Sequence, residues 1–168
     1  MLSINLDKSD WYKHLSYTEV SVNAGADSSG YTQSYIQAGH SPITLLLDRC
    51  HLDNNQPEIA AVVDYFSFLE LPSFCVHRLK PGRYIPTHSD HYAYYANKYN
   101  ITNLNIIHRF IVFLEDYQDG HILVINDRAY LSYKAGNVCS WSGTTPHAAL
   151  NYGLTPRYTL QVTGVHNV

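Results

Sequence analysis

The sequence predicts a mainly β protein, a sandwich or barrel with a supporting helix from its N-terminal half. Three observations predict it. Between residues 74 and 164, about eight short apolar runs follow one another, each bounded by a turn signal. Only one segment, 57–70, carries apolar residues at helical spacing. The composition is 45% apolar and only 15% charged, against a usual charged share of about 25%. Such a chain buries a core; it is not disordered, collagen-like or a coiled coil. Its 168 residues suit a single domain, 1–168, with an N-terminal part over 1–72 and a β core over 73–164.

Taken in order, residues 1–22 alternate loosely and accommodate one or two short strands. Residues 23–42, rich in Gly, Ser and Asn, read as loop, and Ile43 to Leu47 as a short buried segment. HLDNNQP then makes a turn, and Pro57 sits where the first turn of a helix tolerates proline. Ile59, Val62, Val63, Phe66 and Leu69 give that helix its apolar face, and Pro72 is expected to end it. FCVHRL and RYIPTHSDH flank a Pro81-Gly82 turn. Residues 92–105, YAYYANKYNITNLN, read as a long polar and aromatic loop. IIHRFIVFL is a strong β run, and Asp119-Gly120 reads as a hairpin turn. HILVIND, RAYLSY, NVCSW, HAALN and PRYTLQVTG complete the set, separated by KAGN and SGTTP.

Composition also narrows function. The formal charge of −3 offers no basic excess for a phosphate backbone. No apolar run approaches the ~20 residues of a membrane span. Cys50, Cys75 and Cys139 are odd in number and form no CxxC pair, which argues against a disulfide framework and a zinc ribbon. Cys139 reads as a small buried hydrophobe. The start, MLSINLDKSDWYKH, has no basic stretch leading into an apolar one, so a cytoplasmic setting without a signal peptide is expected. A small-molecule or peptidyl substrate remains as the expected partner, with no nucleic acid and no membrane.

The chemistry concentrates in histidines. His88-Ser89-Asp90 closes one strand, and in extended chain positions i and i+2 share a face. His147, opening a later strand, supplies a second imidazole. Two imidazoles and one carboxylate cover one face of an octahedral metal and leave three positions open. A rival triplet, His51-Leu52-Asp53, has His108 at a similar distance, but Gln118 stands ten residues past His108, whereas Arg157 stands ten past His147. His51 also reads as lying in a polar loop before the helix, a poor place for a rigid ligand. An arginine in the apolar strand RYTLQV is costly unless paired. Its planar fork suits a carboxylate, from a ligand or from an internal acid such as Asp116.

The pattern His88-x-Asp90, His147, then Arg157-Tyr158-Thr159 resembles the iron(II)/2-oxoglutarate-dependent dioxygenases. The resemblance implies a double-stranded β-helix (a cupin-like jelly roll) over about residues 74–164. It implies iron(II) on His88, Asp90 and His147, with O2 and 2-oxoglutarate as cosubstrates. Arg157 would receive the distal carboxylate of 2-oxoglutarate, and Thr159 would stand in for a more usual serine. GNVCSW…HAALNYGLTPRYTLQVTG is similar to the aspartyl/asparaginyl β-hydroxylase branch and its free-proline hydroxylase relatives. In that branch an arginine on the strand after the first metal ligands helps hold the cosubstrate, and Arg109 matches it; the alternative is an edge-strand charge. Segment 92–105 has no counterpart there, and RYTLQVTG lacks the second arginine of the nucleobase-repair relatives. The implied activity is hydroxylation of an unactivated C–H bond, in an amino-acid or peptidyl side chain, with release of succinate and CO2.

Other residues carry two readings each. Tyr84 shares the face of His88 if the strand is regular, as a cosubstrate contact or a core residue. Tyr92, Tyr94, Tyr95 and Tyr99 follow the ligands directly, as a substrate lid or as a contact surface. Trp141 packs the barrel or touches substrate. His91, on the opposite face, reads as a surface residue, His121 as a structural hairpin residue and His77 as a sheet histidine. The alternatives to an oxygenase are a cupin-like binding domain, non-catalytic or holding zinc or manganese, and an interaction domain using its tyrosines.

Overall fold

A computed structural model describes residues 2–6, 9–22, 31–142 and 145–166. Part of the 23–42 stretch, and Gly143 and Thr144 of the SGTTP turn, lie outside the described residues. The elements are β1 (Leu2–Ser3), β2 (Thr18–Ser21), α1 (Tyr31–Gln37), β3 (Leu46–Leu52), α2 (Ala60–Tyr65), β4 (Glu70–Leu79), β5 (Tyr84–His88), α3 (Ala93–Tyr99), β6 (Ile107–Phe113), β7 (His121–Ile125), β8 (Arg128–Tyr130), β9 (Asn137–Ser142), β10 (His147–Asn151) and β11 (Arg157–Val165). The larger sheet has the order β1-β9-β6-β11-β4-β3-β2 and the smaller β5-β10-β7-β8. Every pairing is antiparallel.

Counted from β4 to β11, the first, eighth, third and sixth strands share one sheet and the second, seventh, fourth and fifth the other. That is the strand order of two interlocked Greek keys, a jelly roll or double-stranded β-helix. The eight β runs read from the sequence are these eight strands. β1, β2 and β3 widen the larger sheet at its two edges.

The period-2 pattern of β11 shows how the layers form. Leu160 and Val162 face outward into a core with Val76, Val112, Val62 and Phe66. Thr159, Gln161 and Thr163 face inward, to a cavity between the sheets. Helix α2 thus covers the outer side of the larger sheet, the place expected for the supporting helix. Burying an aliphatic or aromatic side chain there contributes roughly 1.5–3 kcal/mol each. Among the described residues no helix is long and apolar enough to cross a membrane.

Several local readings need correction. The 57–70 helix is shorter: a 3-10 turn over Pro57–Ile59 leads into Ala60–Tyr65, and the chain then turns. Leu71 takes a φ of 53°, and Pro72 falls inside β4, beside the register irregularity between Thr163 and Val165 where proline costs no regular ladder bond. The loop expected over 23–42 contains α1, and the one over 92–105 contains α3 with a 3-10 turn at Leu104–Ile106. In α3, Tyr95 and Ala96 pack on Ile107 and Val165. His51 lies on β3, not in a polar loop. Asp119-Gly120 joins no hairpin: β6 pairs with β9 and β11, whereas β7 pairs with β8 and β10. The turn carries the chain from one sheet to the other. Gly120 has a φ of +87°, and a Cβ there would lie 2.3 Å from the Gly153 nitrogen, so the turn packs on the β10–β11 connection.

Candidate functional site

His88 ends β5, His147 opens β10, and the two are register partners. Their ring centroids are 4.2 Å apart. Asp90 follows β5 by two residues and swings its carboxylate between them: Oδ1 is 3.9 Å from His88 Nε2, and Oδ2 is 3.6 Å from His147 Nε2. One ligand atom from each residue lies within 4.8 Å of the others. Among the described residues this is the one such group, and it can hold a metal ion.

The surroundings prepare these atoms for coordination. Nδ1 of His88 lies 2.8 Å from the Pro86 carbonyl, and Nδ1 of His147 lies 3.0 Å from that of Thr145. A carbonyl only accepts, so both Nδ1 atoms carry the proton and both Nε2 lone pairs face inward. Burial holds the pKa of His147 down to about 4, which keeps its ring neutral. Burial pushes Asp90 up, but Arg109 and the two histidines outweigh it and leave a carboxylate below its ordinary pKa. The Arg109 guanidinium donates to Oδ1 at 2.9 Å and Trp141 Nε1 donates to Oδ2 at 3.3 Å. Arg109 and Trp141 are register partners on β6 and β9, so adjoining strands grip the carboxylate from both sides. Two imidazoles presenting Nε2 and an oriented carboxylate can cover one face of an octahedral divalent metal.

Arg109 lines the cavity between the sheets, and it is not the edge-strand charge that the sequence offered as an alternative. Strand β6 lies between β9 and β11, away from any edge. The first contact of Arg109 is Asp90, with its guanidinium 5.1 Å from the Tyr92 ring centroid. Trp141, besides gripping Asp90, lies 4.4 Å ring to ring from His147.

The triad opens into a cavity of about 540 Å3 between the sheets, and Arg157 and Thr159 line the same cavity. Arg157 is only 4% exposed. Its Nε and Nη2 are buried without a hydrogen-bond partner. Asp116, the internal acid considered for it, is taken by Lys134 at 2.9 Å. No carboxylate among the described residues comes within ion-pair distance of Arg157. A buried guanidinium is expensive without a counter-charge, and this one faces an open cavity.

Tyr84 does not reach the site. The β5–β10 register shifts between His147 and Ala149, a bulge that puts Ile85, not Tyr84, on the face of His88. The Tyr84 hydroxyl bonds His40 Nδ1 instead. Tyr92, Tyr94 and Tyr95 all line the cavity, from helix α3 and its first turn. The Tyr92 hydroxyl is buried without a partner, and that of Tyr95 donates to the Leu71 carbonyl at 2.7 Å, tying the helix to β4. Tyr94 is 69% exposed. His91 is exposed at the cavity margin. His121 is fully buried outside the cavity, with Nε2 2.9 Å from the Thr155 carbonyl. Cys139 is buried, with its thiol toward the Ile111 carbonyl.

The rival triplet does not assemble: His51 lines the cavity, while Asp53 and His108 do not. Arg49, Lys98 and Gln161 also line it and escaped the sequence reading. The signal for Arg49 was present: if LLDRCHL is taken as a strand, Leu47, Arg49 and His51 share one face.

No protein-family model matches the chain, and no curated protein matches it. Solved structures do. A predicted oxalate decarboxylase from Thermotoga maritima is 16% identical with a TM-score of 0.45, over 71% of this chain and 81% of that one. The cupin domain of Cnp3 from Schizosaccharomyces pombe is 10% identical with a TM-score of 0.44, over 71% and 64%. A cupin 2 conserved barrel domain protein from Salinispora arenicola is 12% identical with a TM-score of 0.43, over 70% and 75%.

Proposed function

We propose that this protein is an iron(II)- and 2-oxoglutarate-dependent oxygenase that hydroxylates an unactivated C–H bond, with an amino-acid or peptidyl side chain as the substrate expected from the sequence. The observation that carries the reading is the buried guanidinium of Arg157, which has no carboxylate partner among the described residues and lines the same cavity as the His88–Asp90–His147 group. A site that only binds metal has no use for that arginine; a site for a dicarboxylate cosubstrate requires one.

Iron(II), when bound, supplies the activation of O2 coupled to conversion of 2-oxoglutarate into succinate and CO2. The chain's own residues do the rest. His88 and His147 present Nε2, with their tautomers set by the Pro86 and Thr145 carbonyls. Arg109 and Trp141 keep Asp90 ionised and oriented. Arg157 receives the distal carboxylate of the cosubstrate, next to Thr159. Tyr92 and Tyr95 wall the cavity against water, which protects a reactive centre from side reactions.

The test is an anaerobic titration of the purified protein with iron(II) and then 2-oxoglutarate. A weak visible metal-to-ligand charge-transfer band is expected, with succinate released in air. Asp90→Ala removes the band by losing the metal. Arg157→Met keeps the metal and loses the response to 2-oxoglutarate. Metal uptake by the wild type with neither band nor succinate overturns the reading and leaves a cupin-like metal-binding domain.

A further inference from the structure

The charges that line the cavity do not balance. Arg49, Lys98, Arg109 and Arg157 line it, and Asp90 is its one carboxylate among the described residues. Arg109 is spent on Asp90. Arg157 answers the cosubstrate in the function proposed above, on which this inference rests for the metal and for 2-oxoglutarate. Arg49 is left. Among the described residues it makes no ion pair, and its Nε is buried without a partner.

We propose that Arg49 is a substrate-binding residue and that the substrate is a small molecule carrying its own carboxylate. Arg49, His77 and Thr159 form one cross-strand row over β3, β4 and β11, all lining the cavity. Arg49 thus stands two strand spacings, roughly 10 Å, from Thr159. That spacing leaves room for a second anion at Arg49 beside the one at the Arg157 and Thr159 end. Between them is His77, facing Arg49, Arg109, Arg157 and His51. It is a neutral hydrogen-bonding group that adds no charge of its own. His51, two residues along the same face of β3, has Arg49 and Lys98 as its charged neighbours, so basic groups extend from Arg49 toward α3.

A single guanidinium fork suits a planar carboxylate. Phosphate sites favour backbone N–H groups from glycine-rich turns or helix N-termini, and among the described residues no glycine lines this cavity. The volume, about 540 Å3, lies in the range of small-molecule sites.

The experiment uses zinc-substituted protein saturated with 2-oxoglutarate, so that binding is read without turnover. The probes are the twenty free L-amino acids and the dicarboxylic acids malonate to adipate, each beside its carboxamide, followed by calorimetry and by the imidazole NMR signals of His51 and His77. At least one acid is expected to bind and move those signals, with its amide weaker by at least about tenfold. Arg49→Met removes the preference for acid over amide, and Arg49→Lys, which keeps the charge, retains part of it. Affinity for 2-oxoglutarate stays within about twofold in Arg49→Met and collapses in Arg157→Met. The inference is overturned if no probe acid binds, if acids and amides bind alike, or if Arg49→Met weakens 2-oxoglutarate as much as Arg157→Met does. If the wild type ignores 2-oxoglutarate altogether, the proposed function fails instead. The acid–amide comparison at Arg49 is then read on the zinc protein alone, with the same outcomes deciding it.

Discussion

Replacing Arg109 by Met tests the electrostatics of the centre. Asp90 is paired with Arg109 Nη1 at 2.9 Å, and the two side chains are largely buried, at 11% and 17% exposure. Removing one member of a buried ion pair costs about 3–5 kcal/mol. The residual exposure argues for the lower end. For a chain of this length each kcal/mol is worth roughly 2–4 °C in Tm, so a loss of about 6–12 °C is expected in chelator. A divalent cation on His88, Asp90 and His147 supplies the charge that Arg109 no longer does. The deficit should therefore shrink when zinc or manganese is saturating. Thermal melts of wild type and Arg109→Met, in chelator and in metal, measure the four values needed. Equal deficits under both conditions would refute the idea that Arg109 and the metal share one carboxylate.

Two further perturbations probe the surroundings. Trp141→Phe keeps the ring against His147 but deletes the Nε1–H donated to Asp90 at 3.3 Å. Loss of such an orienting bond typically weakens metal binding about 10–100-fold; competition against a chelating dye reads it, and an unchanged affinity would make Trp141 a packing residue only. His77 gives a pH dependence: burial first, then Arg49 and Arg109, hold its pKa down to about 3 against 6.5 for the free side chain. Between those values the unfolded chain binds a proton that the folded one refuses. Stability from this residue is complete above pH 6.5 and is lost on acidification by up to about 1.4 kcal/mol per pH unit, levelling off below pH 3. Denaturant melts from pH 7 to pH 4 should show a shallower slope in His77→Gln; identical slopes would contradict it.

Much of this architecture was legible in the residues. Apolar-rich runs such as IIHRFIVFL and RYTLQVTG became β6 and β11, because a strand buried on both faces needs mostly apolar or small residues. The His88-x-Asp90 spacing, with His147 and Arg157 on later strands, placed four groups around one cavity. What escaped the reading depends on pairing, which local sequence does not encode. Asp119-Gly120 has the residues of a hairpin turn, yet whether the flanking strands pair or part is settled by partners elsewhere. The β5 bulge reverses the faces of Tyr84 and Ile85, and one inserted residue suffices for that. Helix α3 spans only seven residues, three of them tyrosines, which favour strands when read alone.

The same distinction explains why the triad could be read from sequence while the charge balance around it could not. A ligand set is a list of residue types at a spacing. A counter-charge is a relation between residues far apart in the chain, such as Arg109 with Asp90 or Lys134 with Asp116. Only after those pairs are drawn do Arg157 and Arg49 stand out as buried-headed cations lining a cavity with no acid of their own among the described residues. Folding does not leave a guanidinium in such a place for stability, since an apolar side chain of similar volume would serve the core as well or better. An arginine kept there against that cost points to anions that arrive from outside the chain.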